Sequence, residues 1–504
     1  MPNKAMNAFF EKMNDDWLKL TYDDVRLGTG YSEVLPQDVD LATRFSRRVA
    51  LKTPIVSSPM DTVTGAEMAI AMAEAGGLGI IHRGFSPEMQ AKAVARVKHR
   101  LHGLIETPIT VQEDDTVEQV LRMRDEKRFA FHTFPVLNRS GMMIGLVTRN
   151  DFDFCTDHSQ PVHYIMTPVS ELTKGPPGMT VPQAHELMFK RKKKVLPLLT
   201  EDSMLRGMYI LSDLKRILSP RHKHNLDSHG QLIVGAAVGV GQGALERATL
   251  LAAKRCDVFH IDTAHGDSKN VLDTIRELKA AYPDIDVVAG NVSNGKSAKR
   301  LVEAGADGVL VGQGPGSICT TRVVAGIGVP QVSAVFDCVR ALEGTDVPIC
   351  ADGGINNSGD IVIALAIGAA NVMVGRLLAG TEEAPGETLL YQGMQVKSYR
   401  GMGSLGAMRD NASSRERYGQ AGAPSTKIVP EGVEGVVPYK GTVQSVLEQY
   451  EGGIRSGMGS NGARTIQELA EKAEISRFSS AGLTESHPHD IMITAEAPNY
   501  HGRG

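Results

Sequence analysis

The feature that most constrains this chain is a short apolar segment that recurs eight times. The runs are 53–58 (TPIVSS), 78–81 (LGII), 232–237 (LIVGAA), 257–262 (DVFHID), 286–290 (DVVAG), 307–312 (DGVLVG), 347–351 (VPICA) and 371–375 (NVMVG). Their apolar residues are consecutive rather than alternating, as in parallel strands buried on both faces. Segments with helical apolar spacing lie between them, among them Gly65–Ala75, Ala244–Lys254, Lys269–Ala281 and Ser297–Ala304. Eight strand–helix units in one α/β chain predict a (β/α)8 TIM barrel. A doubly wound open sheet is the competing architecture for the same runs.

The series has one large gap, between Ile81 and Leu232. About residues 100–220 fill it with an internal repeat: FPVLNRSGMMIGLVTRNDF (134–152) echoes LPLLTEDSMLRGMYILSDL (196–214). Pro135 and Pro197, Gly145 and Gly207, and Asp151 and Asp213 all share an offset of 62 residues. Each copy reads as strand, turn, strand and helix start. A gap of this length without structure is improbable, so a paired small domain inserted in a barrel loop is expected. The expected domains are a first barrel part at 1–99, the insert at 100–220, and a second barrel part at 221–504. Residues 376–440 are rich in Gly, Ser, Pro and charge, and about 385–440 is expected to be a mobile flap over the barrel mouth rather than a disordered linker.

Composition excludes several classes. Lys and Arg number 54 against 58 Asp and Glu, a net charge of −4, without the basic excess of a dedicated nucleic-acid binder. The sequence has no apolar stretch of about 20 residues to span a membrane. Its N-terminus is charged throughout, without a signal-peptide apolar region. The five cysteines (155, 256, 319, 338 and 350) are odd in number and scattered, with no C-x-x-C. That argues for a reducing, cytoplasmic setting and against a disulfide framework or a zinc site.

In a (β/α)8 barrel the chemistry sits where the strands end. Those ends read Ser57-Ser58, His82, Asp262, Asn291, Gly312, Asp352 and Gly375, a polar set suited to a polar ligand. After the sixth run, VGQGPGSICTTR (311–322) alternates Gly312, Gly314 and Gly316 before Cys319. Such glycines let backbone amides or carbonyls face an ion or phosphate. A thiol on that loop, flanked by Ser317 and Thr321, is a candidate covalent nucleophile. Cys256 and Cys350 fit the blander reading of small buried hydrophobes. Asp352, with Gly353 and Gly354, ends the seventh run, where an acid can hold two sugar hydroxyls; a turn with an Asx cap is the alternative. Gly375-Arg376 opens a helix after the eighth run, in the region that binds phosphate in many such barrels. Arg417-Tyr418 lies in the polar flap. A guanidine is a plausible base only where its surroundings lower its pKa.

Taken together, GPGSICTTR (314–322), ADGG (351–354), KSYRGMGSLGAM (397–408), RERY (415–418) and VPEGVEG (429–435) resemble the IMP dehydrogenase / GMP reductase family, and within it the IMP dehydrogenases. The likeness runs from SSPMDTV (57–63) to TESHPHD (484–490), nearly the whole chain. It implies that the repeat is a tandem CBS (Bateman) module binding purine nucleotides, ATP or GTP. It also implies attack of the Cys319 thiolate on C2 of IMP, hydride transfer to NAD, and hydrolysis of a covalent thioimidate to XMP. Arg417 would act as the water-activating base, assisted by Tyr418 and Thr321. Ser58, Ser317, Asp352, Gly353, Gly354, Gly375, Arg376, Tyr399, Gly401, Met402, Gly403 and Glu431 would bind the substrate. Asp262, Asn291, Gly312, Gln313 and Gly314 would lie along the dinucleotide. A potassium ion would sit on carbonyls of Gly314, Gly316 and Cys319, with Glu485, Ser486 and His487 from a neighbouring subunit. The resemblance therefore implies a homo-oligomer, tetramer or octamer.

Two positions depart from the family pattern. Residue 376 is Arg where Ser is common, which alters the phosphate contact. The first repeat keeps the ribose-type pair Thr148 and Asp151, whereas the second has Ile210 with Asp213, which weakens the case for a nucleotide there. Rival functions are a GMP reductase using NADPH, a non-catalytic purine nucleotide sensor and a flavin-dependent barrel oxidoreductase. The Arg417-Tyr418 pair favours the dehydrogenase over the reductase, which has no hydrolysis to perform.

Overall fold

The structure, a computed structural model, describes residues 4–13, 18–100, 103–127, 129, 131–218, 223–422, 424, 427–495 and 497–500. It separates into two compact units: Met1–Lys98 with Lys223–Asn225 and Leu232–Gly504, and His99–His222 with Leu226–Gln231. The expected domain boundary at 220/221 lies outside the described residues.

The first unit is built on a closed barrel of eight parallel strands. These are β1 (Ile55–Ser57), β2 (Leu78–Ile81), β3 (Gly235–Val238), β4 (Val258–Asp262), β5 (Asp286–Val292), β6 (Gly308–Val311), β7 (Ile349–Asp352) and β8 (Asn371–Val374). Each strand falls on one of the eight apolar runs. β2 pairs directly with β3 across the long gap that holds α2 and the insert, through Gly235 opposite Ile80 and Ala236 opposite Ile81. That pairing rules out the open sheet. The outer helices follow their strands: α1 (Ala66–Glu74), α2 (Pro87–Lys98), α3 (Gln242–Ala252), α4 (Lys269–Ala281), α5 (Gly295–Glu303), α6 (Gln331–Ala341), α7 (Ser358–Ala366) and α8 (Val443–Ser460).

The strands are buried along nearly their whole length because side chains face both the barrel interior and the helices. Inside, Val56, Leu78, Ile80, Val258, Val288, Leu310 and Met373 form one cluster with Phe45, Val49 and Leu51. Those last three belong to the hairpin of Thr43–Arg44 and Ala50–Leu51. It is fastened at the strand starts, Arg47 N donating to Asp307 O (3.0 Å) and Arg48 N to an Asp286 carboxylate oxygen (2.7 Å). One end of the barrel is thus closed by a hairpin, and the C-terminal end is left for the site.

The polar stretch after β8 is more ordered than its composition suggests. Thr388–Tyr391, Met394–Arg400 and Glu434–Pro438 make a three-stranded antiparallel sheet, and Leu405–Asp410 and Ala412–Arg417 are short helices. Thr388–Tyr391 is exposed along its length, so no alternation of apolar and polar residues marks it as a strand. Within the expected flap, residues 423, 425 and 426 lie outside the described residues.

In the second unit, Phe134–Leu137 pairs with Met143–Val147, and Val195–Leu199 pairs with Leu205–Ile210. Helices Arg149–Asp153 and Leu211–Leu218 follow the two hairpins. Both copies of the repeat therefore fold as strand, turn, strand and helix, each with its own apolar cluster. Among the described residues no helix is long and apolar enough to cross a membrane.

Candidate active site

Two adjoining cavities open at the C-terminal ends of the barrel strands, about 130 and 220 Å³ in volume. Both are lined by Ser58, Pro315, Gly316, Asp352, Gly353 and Tyr399.

The first cavity holds Cys319. Its thiol donates to Thr321 Oγ1 at 3.2 Å. Backbone bonds stitch the cysteine loop to the last part of the flap: Thr320 N donates to Glu431 O (3.0 Å) and Val433 N to Ile318 O (3.0 Å). Glu431 and Thr321 therefore line the same space as Gly401, Met402 and Gly403. The other core cysteines behave differently. Cys256, Cys338 and Cys350 are 3%, 0% and 1% exposed, and burial pushes each thiol up, Cys256 to about 12. They are packing residues, as expected for Cys256 and Cys350.

Asn291, at the end of β5, bridges two parts of the cavity wall. Its amide donates to Gly312 O (2.9 Å) and to the Asp352 carboxylate (2.6 Å). Burial pushes the Asp352 carboxyl up to about 6, against the lowering effect of that hydrogen bond. Gly353 and Gly354, with φ of +87° and +80°, turn the chain sharply after β7. That conformation is open to glycine at little cost. Gln313 is held by Ser293 Oγ, which donates to its side-chain oxygen (2.7 Å), and it donates to Ala264 O (3.1 Å).

The second cavity collects Ser317, Gly354, Gly375 and Arg376. Tyr399, from the long strand of the flap sheet, forms one wall, with its hydroxyl on Met60 Sδ at 3.9 Å. Burial pushes its phenol up to about 12. The Arg376 guanidinium donates to Asn356 Oδ1 at 2.9 Å and leaves its remaining donors for a ligand. This cavity suits an anion: hydroxyls, backbone amides and one cation converge on it.

The flap reaches the first cavity through Arg417 and Tyr418. The Arg417 guanidinium pairs with the Asp262 carboxylate at the end of β4. Asp262 is 4% exposed and also faces Arg83 at 3.8 Å. Burial favours the neutral acid, but Arg417, His260 and Arg83 outweigh it and hold the carboxyl below its ordinary range. For Arg417 burial pulls the pKa down, yet Asp262 reverses this and the net direction is up. The surroundings that a base would need are therefore not provided in this arrangement, and Arg417 stands as a cation. Its Nε is buried without a hydrogen-bond partner. Tyr418 is pushed up to about 12 by burial.

Thus the structure brings to the two cavities every expected catalytic and substrate residue, and also Asn291, Gly312, Gln313 and Gly314. Asp262 reaches the first cavity through its pair with Arg417. Glu485, Ser486 and His487 line neither; they lie at the end of the helix Ser480–Glu485. His82, a strand-end candidate, is 4% exposed, packs at a tilt against Phe85 (centroids 4.1 Å apart) and is pushed down to about 4 by burial. It serves packing beside the flap sheet. The sequence reading missed Met60, Thr263, Pro315 and Ile318 of the lining, and Arg83 behind it. Arg83 stands two residues beyond β2, next to His82, so the rule of strand ends already pointed to its neighbourhood.

Comparison with known proteins agrees with this geometry. The family model for the IMP dehydrogenase / GMP reductase domain matches residues 19–489. The chain is 49% identical over 484 residues to inosine-5'-monophosphate dehydrogenase of Aquifex aeolicus, covering 95% of this chain and 97% of that protein. It is 47% identical over 487 residues to the Escherichia coli K12 protein of the same name, covering 95% and 98%. A crystal structure of GMP reductase from Trypanosoma brucei, a cysteine-to-alanine variant with guanosine 5'-monophosphate, superposes with a TM-score of 0.84. Its identity is 38%, with 96% of this chain and all of that one covered. A closed barrel with a cysteine loop at its mouth, matched nearly end to end, places this chain in the IMP dehydrogenase / GMP reductase family.

Proposed function

We propose that this chain oxidises IMP to XMP with NAD as hydride acceptor, in guanine nucleotide synthesis. One observation carries the reading beyond the family: the flap's Arg417 engages Asp262, the carboxylate expected to hold the dinucleotide's ribose. Dinucleotide and flap then compete for one place, which suits a site that runs a redox step and a hydrolysis in turn.

The chemistry follows from the residues at hand. Asp352 takes the ribose hydroxyls, Ser317, Gly354, Gly375, Arg376 and Tyr399 surround the phosphate, and Glu431 faces the purine. The Cys319 thiolate adds to C2 of the base; the S–C bond forms, the C2–H bond breaks, and the hydrogen departs with the bonding electron pair as hydride. Bound NAD supplies the acceptor. Once the flap occupies its place, water adds to C2, the C–S bond breaks, and XMP leaves with the thiol restored. Arg417 and Tyr418 hold the water, assisted by Thr321. Because Asp262 keeps Arg417 cationic, its action as a base requires that pair to loosen when the adduct is present.

A potassium site on this chain is consistent with its donors. The carbonyls of Gly314, Gly316 and Cys319 are neutral, hard oxygens of one loop, and the helix Ser480–Glu485 ends at its partners, where carbonyls lie beyond the helix's own bonding. The second set would come from another copy, which makes the enzyme a homo-oligomer, a tetramer or octamer. In the insert, read as a CBS pair, Thr148 and Asp151 hydrogen-bond at 2.7 Å and cap a helix, and would turn to the ribose of ATP or GTP. Ile210 offers no hydroxyl for the same task.

The test is direct. Purified protein with IMP, NAD and potassium should generate NADH, and GMP with NADPH in a parallel cuvette should not be consumed. The structural likeness to a GMP reductase makes the second cuvette the sharper control. NADPH consumption there would replace the dehydrogenase by the reductase, and silence in both would favour a nucleotide sensor.

A further inference from the structure

Arg83 is a buried cation beside the site that the mechanism above does not use. It follows β2, and its side chain is 5% exposed. Its guanidinium is divided between two carboxylates. One side faces the barrel: Nε lies 3.8 Å from an Asp262 carboxylate oxygen, and Nη2 donates to Asp262 O at 3.3 Å. The other side faces the flap: Nη1 donates to Glu416 Oε2 at 2.6 Å. Glu416 directly precedes Arg417 on the helix Ala412–Arg417. A third element completes the contact. Beyond β3, Gly239 leaves room for the pair, since a Cβ built there would stand 2.7 Å from Glu416 Oε1 and 2.9 Å from Arg83 Nη1.

The geometry points to Arg83 and Glu416 as a latch that holds the flap closed and so delivers Arg417 to the cavity. Arg83 is the barrel half, a positioning residue that touches no reacting atom. The inference rests on the proposed exchange of dinucleotide for flap.

The energetics favour a real contribution. Arg83's contacts with Asp262 are made on the barrel side and involve no flap residue, so the guanidinium keeps a carboxylate partner when Glu416 withdraws. Glu416 keeps 37% of its side chain exposed when paired, which limits what it loses in leaving water. A planar fork pre-positioned for a carboxylate loses little entropy on pairing. A charge-assisted hydrogen bond of this kind should shift the closed-to-open ratio by on the order of tenfold.

Two variants test it through different chemistry. Glu416→Gln removes the charge, and Gly239→Ala displaces the same side chains without altering any charge. Both are measured by stopped-flow NADH formation from IMP and NAD, which separates the first-turnover burst (hydride transfer) from the steady rate (hydrolysis). ADP-ribose is the second probe, as it carries the dinucleotide's ribose but no ring to reduce. Both variants should keep the burst within about twofold, lose about tenfold in the steady rate, and bind ADP-ribose up to tenfold more tightly, because less closed flap opposes it. Arg83→Gln should match them, and Arg83→Lys should recover part of the loss. Unchanged steady rate and ADP-ribose affinity in both Glu416→Gln and Gly239→Ala would overturn the latch. Equal loss of burst and steady rate would reduce it to a structural contact. Absence of NADH from the unaltered enzyme would instead sink the functional reading on which it rests.

Discussion

Asp262→Asn strikes the point where flap, barrel and dinucleotide meet. The carboxylate is buried between two guanidiniums, with Arg83, Asp262 and Arg417 exposed by 5%, 4% and 17%. Removing one partner from such a buried pair costs about 3–5 kcal/mol, because the remaining charge is left uncompensated. Here Arg417 has an escape, since the flap can carry it back to water. The cost should therefore appear as loss of the closed flap rather than as unfolding. At about 3 kcal/mol and 1.36 kcal/mol per decade, the closed population and the rate of hydrolysis fall by roughly 10²-fold. The NAD KM should rise as well, because the same carboxylate is assigned to the ribose. Stopped-flow measurement at saturating NAD should show a burst of NADH near one per site, then a steady rate about a hundredfold lower than in the unaltered enzyme. A steady rate within threefold of normal, or a burst that falls in step with it, would refute the account of Asp262 as the flap's anchor. A drop in Tm by more than a few degrees would show that the cost was taken by the fold instead.

Other expectations follow from single residues. Cys319→Ala should abolish NADH formation while IMP still binds, as followed by calorimetry; residual turnover above about 1% would exclude the covalent route. Asp352 has its pKa raised to about 6 by burial, so the ionised form that accepts ribose hydroxyls is lost as pH falls through that value. The KM for IMP should then rise below about pH 6, an effect absent from Asp352→Asn. The linkage to stability has the opposite sense: burying this carboxylate costs stability above pH 6, and the cost fades as pH falls toward the unfolded value near 3.8. Gly312→Ala would press a Cβ onto the Asp352 carbonyl, with Gln331 Nε2 at 3.0 Å on the other side. Overpacking of that kind costs roughly 1–3 kcal/mol and should lower the Tm measured by calorimetry; an unchanged Tm would mean the loop yields freely.

Much of the barrel was legible because its signal is local. Strands buried on both faces must be apolar at consecutive positions, and that requirement marks all eight without knowledge of their neighbours. The same locality placed Asp262, Asn291, Gly312 and Asp352 at strand ends, and the glycine-rich cysteine loop after β6. The inserted repeat was legible for a similar reason: two copies must bury the same face, so their apolar and turn residues recur at one offset. The flap sheet was not legible. Its strands are polar or exposed, and its order depends on long-range pairing such as Tyr399 opposite Gly435.

What the tertiary structure alone decided are the partnerships between distant residues. Composition shows that charges balance but not which carboxylate meets which guanidinium. Arg417 meets Asp262 across 155 positions, and Arg83 meets Glu416 across 333. Val25–Leu27 pairs with Ile475–Arg477, joining the two ends of the chain's described core in a way no periodicity announces. The protonation of Arg417 is likewise a property of its surroundings: the residue type allows either a cation or, in a suitable site, a base, and the placement of Asp262 beside it selects the cation. Sequence alone determined that a polar, cysteine-bearing site would lie at the mouth of a barrel, because burial and backbone geometry act on neighbours along the chain. Electrostatic pairing acts through space, and only the fold sets those distances.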